Sequence, residues 1–108
     1  AQGKPNILSS MLVGSGLNLI KPVAITLNIS ENKAYVADEK LNSIVSINLN
    51  NGNRSVLSNQ AIGSGPTFKK LSDISFDDAT RSLLATDSKE QAVFSINIDN
   101  GNRKIISK

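Results

Sequence analysis

The sequence predicts an all-β fold of four-stranded antiparallel sheets, and three observations carry the prediction. They are an internal repeat with an offset of 49 residues, a side-chain period of two within each repeat, and Asn-Gly turns between the alternating segments. Val13 to Ser58 overlays Ile62 to Ser107 without a gap, and about a third of the positions are identical. The firmest blocks are Gly14-Ser15-Gly16 with Gly63-Ser64-Gly65, Ser46-Ile47-Asn48 with Ser95-Ile96-Asn97, and Asn51-Gly52-Asn53-Arg54 with Asn100-Gly101-Asn102-Arg103. One supersecondary unit is used twice.

The elements follow in chain order. Asn6-Ile7-Leu8-Ser9 matches Ser55-Val56-Leu57-Ser58 and Gly3 falls on Gly52, so residues 1–12 are expected to be the last strand of a preceding unit. The first full unit spans 13–58. Val23, Ile25, Leu27 and Ile29 alternate with Ala24, Thr26 and Asn28, as a strand with two unlike faces requires. Val45, Ile47 and Leu49 alternate with Ser46 and Asn48 in the same way. Strands are expected at about 22–29, 33–38, 43–50 and 53–58, with copies at about 72–77, 82–87, 92–99 and 102–107 in the second unit, 62–108. Ser30-Glu31-Asn32, the segment from Asp38 to Asn42, and Asn50-Asn51-Gly52-Asn53 read as the turns, with Gly52 and Gly101 supplying a positive φ.

Four short antiparallel strands in each unit, stacked by repetition, is the pattern of a β-propeller blade. A blade buries its two faces only against neighbours, so two blades leave open apolar faces. Further blades are therefore expected, from the same longer chain or by self-association of copies.

Composition limits the chemistry. The chain has 108 residues, enough for one domain with a core, and 39% of them are hydrophobic. Aromatics are limited to Tyr35, Phe68, Phe76 and Phe94, so aliphatic side chains fill the interior. Cys and His are absent, which excludes thiolate and imidazole metal sites, Cys or His nucleophiles, and an imidazole base. The net charge is +3, but Lys and Arg are interleaved with Asp and Glu, and no stacking aromatic stripe accompanies them, so nucleic acid is not an expected partner. No stretch approaches the roughly 20 apolar residues of a membrane span.

Pro22-Val23-Ala24-Ile25, Lys33-Ala34-Tyr35-Val36-Ala37-Asp38, Ile44-Val45-Ser46-Ile47-Asn48-Leu49 and Gly52-Asn53-Arg54, with their second copies, resemble the blades of six-bladed propellers of the NHL-repeat and gluconolactonase/regucalcin-like group. The resemblance covers nearly the whole chain. It implies six blades in the complete assembly and a secreted or periplasmic setting. In the lactonase branch it also implies a calcium-type ion in the central channel. The positions that match the family's ligand are Val23 and Ser72, and neither side chain suits that ion; Asp73 stands one residue further on.

Several residues invite chemistry and have a structural reading beside it. Asp38 and Asp87 end the second strand of each unit and are expected to cap the following turn. The Gly-Ser-Gly segments lack the following helix of a phosphate loop and read as connectors between blades. Arg54 and Arg103 are expected to face water or to pair with acidic side chains. Asn28-Ile29-Ser30 and Asn53-Arg54-Ser55 fit the glycosylation sequon but fall on or beside strands. Lys21, Lys70, Ser72 and Asp73 stand where the chain enters an innermost strand and are the candidate residues for a ligand at the channel mouth. No catalytic or metal-ligating residue is assigned. The expected function is a non-catalytic binding or scaffold module for a protein, glycan or small ligand, the alternative being a fragment of a calcium-dependent lactonase-like hydrolase with its metal ligands in other blades.

Overall fold

The computed structural model describes residues 6–7 and 13–108. Eight strands make up the fold: β1 (Pro22–Asn28), β2 (Lys33–Asp38), β3 (Ser43–Asn48), β4 (Arg54–Ser58), β5 (Leu71–Asp77), β6 (Ser82–Asp87), β7 (Ala92–Asn97) and β8 (Arg103–Ser107). They form two four-stranded antiparallel sheets, in the orders β1-β2-β3-β4 and β5-β6-β7-β8, as propeller blades do. The strand expected within 1–12 lies outside the described residues, apart from Asn6 and Ile7, which are in no strand. Among the described residues no helix is long and apolar enough to cross a membrane.

Strands β3 and β7 stop two residues short of the expected ends, for a local reason. The Asn48 side chain accepts the Asn50 N–H at 2.8 Å, and its carbonyl accepts the Gly52 N–H at 2.7 Å, so the chain leaves the ladder at Asn48. A four-residue loop results, closed by Gly52 at φ 77°. Asn97 and Gly101 repeat the arrangement, with Gly101 at φ 76°.

The innermost strands each begin with an irregularity. Pairing steps from Pro22 with Asp38 to Ala24 with Ala37, which leaves Val23 as the extra residue, and Ser72 is the extra residue in β5.

The two sheets pack face to face on one core. From the first blade come Tyr35, Ala37 and Ile44, with Ala24 and Leu57 at the margin; from the second come Leu71, Ile74, Leu83, Ala85, Phe94 and Ile96. We call the first set the back of its blade and the second the front of the next. Polar contacts register the two: Phe76 N–H donates to Thr26 Oγ1 at 3.0 Å, the Tyr35 and Phe76 rings lie 5.8 Å apart, and Arg81 pairs with Glu31.

By the repeat, Ile25 stands where Ile74 stands in the second blade. Ile74 is 6% exposed against the first blade, whereas Ile25 is 61% exposed. Val23 and Leu27 are exposed with it, and the row borders a groove of about 510 Å³ whose walls include Ile7, Leu19, Val36 and Ile47. The first blade thus repeats, uncovered along β1, the face that the second blade buries.

Candidate functional site

Strand pairing brings the start of β1, the end of β2 and the start of β3 to one end of the first blade, and β5, β6 and β7 do the same in the second. Asp38 and Asp87 sit at these ends, fully buried. Asp38 accepts the N–H groups of Ile20, Lys21 and Leu41 at 2.8 to 3.1 Å. Asp87 accepts those of Lys69, Lys70, Lys89 and Glu90 at 2.6 to 3.1 Å. Each carboxylate therefore ties the approach to the innermost strand to the turn between the second and third strands. The expected turn cap is present, and it also holds a segment 17 or 18 residues away. Burial works to raise the Asp87 pKa, but the four N–H donors outweigh it and hold the carboxyl below its ordinary value.

Of the four channel-mouth candidates, the structure brings two together. Lys21 Nζ lies 3.4 Å from Glu39 Oε2 and Lys70 Nζ lies 4.0 Å from Glu39 Oε1, so one carboxylate draws lysines from both blades. Ser72 and Asp73 do not join them. The Ser72 hydroxyl donates to the Lys70 carbonyl at 3.2 Å, and Asp73 Oδ1 accepts the N–H of Ile74 at 2.9 Å. Sequence reasoning missed Glu39. The available signal was its difference from Ser88, its counterpart in the repeat.

The two arginines differ from expectation. Arg54 and Arg103 are each 5% exposed, and carbonyls hold them where acids or water were expected. Arg54 donates to the carbonyls of Val13, Gly16 and Leu17. Arg103 donates to those of Asn59, Ile62, Gly65 and Pro66 and to Ser58 Oγ, and its guanidinium lies 5.6 Å from the centre of the Phe68 ring. Each fork gathers the irregular connector that leads into its blade, where turning carbonyls have no ladder partner. The connector comes this close because glycine allows it: a Cβ on Gly65, at φ +107°, would stand 2.0 Å from the Arg103 carbonyl oxygen. The sequon at Asn28 is closed, since the residue is buried and its amide donates to Tyr35 Oη at 3.1 Å.

Beside the lysines, a groove of about 590 Å³ lies where the blades meet. Asn42 enters it from the β2–β3 turn, Asn59, Gln60 and Thr67 from the connector, Lys69 from the approach to β5, and Lys89 from the β6–β7 turn. The donors needed for a calcium ion are not assembled at the family's ligand position: Val23 has no oxygen in its side chain, and the Ser72 hydroxyl turns back to its own chain. Among the described residues no group of three or more His, Cys, Asp and Glu could hold a metal ion.

No family model matches the chain, and no curated protein matches it in sequence. Solved structures do match. One is of a nidogen/laminin complex, at TM-score 0.72 and 21% identity over 98% of this chain and 36% of that one. Another is the PQQ-bound form of aldose sugar dehydrogenase from Streptomyces coelicolor, at TM-score 0.62 and 15% identity over 88% of this chain and 31% of that one. At these identities the likeness concerns the fold, and the chain spans about a third of each protein.

Proposed function

We propose, from a propeller-like fold of two blades, that the chain is a binding and scaffold module of a larger ring, six-bladed like the NHL-repeat and gluconolactonase-like propellers and placed outside the cytoplasm. The observation that carries the scaffold part is the exposed β1 row of the first blade, Val23, Ile25 and Leu27, of which Ile25 repeats the Ile74 that the second blade buries against its neighbour. A face of that kind joins another blade, whether from a longer chain or from a second copy. Support for the binding part is the disposition of polar groups. Asp38 and Asp87 hold backbone, whereas Lys21 and Lys70 meet at Glu39 and Lys69 and Lys89 line the groove between the blades.

The test of the scaffold reading is the native mass by light scattering, with Ile25→Asp as the comparison. Association above 11.5 kDa that Ile25→Asp abolishes is expected, and three copies would supply six blades. A soluble monomer with unchanged solubility and stability in Ile25→Asp would sink the proposed joining face.

A further inference from the structure

The repeat acts as an internal control. A residue kept in both blades answers to the frame, and a residue that differs is free to serve something else. Around the groove between the blades the copies differ: Asn59, Gln60, Thr67 and Lys69 stand where the stretch leading into the first blade has Ser10, Met11, Asn18 and Ile20. Lys89 matches Lys40, but the second lysine of the groove, Lys69, stands where Ile20 precedes the first blade. Both blades bound this groove, so unlike the aliphatic front it is complete without a neighbour.

We propose that the groove binds a saccharide that carries a carboxylate. The inference rests on reading the chain as a binding module and names the ligand of that module. The N–H groups of Lys69 and Lys89 are both held by the buried Asp87 carboxylate, at 2.6 and 3.1 Å, so one rigid anchor fixes the backbone beneath two ammonium groups. Neither ammonium group has an ion-pair partner among the described residues. Two uncommitted cations call for an anion.

The other walls specify what the anion is attached to. The amides of Asn42 and Gln60 and the hydroxyl of Thr67 both donate and accept, and Asn59, whose Oδ1 is taken by the N–H groups of Ala61 and Ile62, offers its NH2 group, a set that suits a row of hydroxyl groups. Asn42 Oδ1 is a buried polar atom without a hydrogen-bond partner, so turning this amide toward a ligand breaks no bond of its oxygen. An acidic peptide fits less well, because the lining is more polar than apolar, with Leu41, Ala61 and Phe68 as its apolar members. The volume of about 590 Å³ falls within the range of small-ligand sites.

The test is a titration of the full chain, followed by amide chemical shifts, with trigalacturonate, a neutral galactose trisaccharide and a hexaglutamate peptide. Saturable shifts at Asn42, Asn59, Gln60, Thr67, Lys69 and Lys89 are expected with trigalacturonate, with the neutral sugar at least about tenfold weaker. Lys69→Ile, which installs the first unit's residue and spares the frame, weakens binding about tenfold, and Lys40→Ala leaves it unchanged. The proposal is overturned by an absence of saturable shifts at the groove, by equal affinity for the neutral sugar, or by an unaffected Lys69→Ile variant. Tighter binding of hexaglutamate overturns it in favour of an acidic peptide. Light scattering reads the joining face independently, so loss of the saccharide and loss of the scaffold reading give different results.

Discussion

Asp87 shows how one side chain decides local order. Its four N–H donors come from two segments just beyond the end of the β5–β6 ladder, and removing the carboxylate leaves these donors without acceptors. Asp87→Ala is expected to cost about 3 kcal/mol in urea unfolding at pH 7. The folded pKa lies below the unfolded one, so the stabilisation is complete above the unfolded value of about 4 and is lost as pH falls through the folded value. Wild-type stability should therefore drop more steeply below about pH 4 than that of Asp87→Ala. A second residue-scale expectation concerns backbone strain. Gln91 is exposed at φ 53°, a region that asparagine and glycine tolerate better, and Gln91→Gly should raise stability by about 0.5 to 1 kcal/mol, read as a higher midpoint of thermal unfolding. The sequence made Asp87 legible because it is repeated at a strand end. It did not reveal Arg103 as a buried clamp, because the carbonyls it gathers lie 37 to 44 residues away in an irregular segment. The recurrence of Gly65 with Arg103 in both units was the trace of that contact.

At the scale of elements, strand number, order and nearly all boundaries were legible, since a period of two and a gapless repeat both register the hydrogen-bonded ladder. The ends of β3 and β7 were not, because alternation continues through Leu49 and Ile98 while Asn48 and Asn97 turn the backbone out of the ladder. The bulges at Val23 and Ser72 escaped for a similar reason: an extra residue in a strand leaves the sequence pattern almost unchanged and still redirects side chains. This is why the four mouth candidates divide, two lysines meeting at Glu39 while Ser72 and Asp73 bond to their own chain. The faces carry a paired expectation. Ile74→Ala removes a side chain from the shared core and should cost about 2 to 4 kcal/mol, whereas Ile25→Ala in the dissociated chain should cost less than about 1 kcal/mol. Chemical denaturation of the two variants at low concentration makes the comparison.

At the scale of the molecule, the two sheets share one core and should unfold together. Tyr35 is the sole tyrosine, Trp is absent, and the Tyr35 ring lies at the junction beside Phe76, so intrinsic fluorescence reports the join between blades. Its unfolding curve is expected to coincide with far-ultraviolet circular dichroism; separate midpoints would mean that one blade melts before the other. The join has a further property. On the back of the first blade β1 carries the small Ala24 and Thr26, β2 carries Ala37 beside the large Tyr35, and β3 and β4 carry Ile44 and Leu57. The two sheets thus meet as a wedge, closest where β1 approaches β5. A front-to-back contact has no two-fold symmetry to end it, so nothing in its chemistry counts blades. In the proposed ring the opening angle of the wedge would do the counting: a larger side chain at position 37 would flatten the curve, and blades that should close would instead keep adding as an open helical polymer.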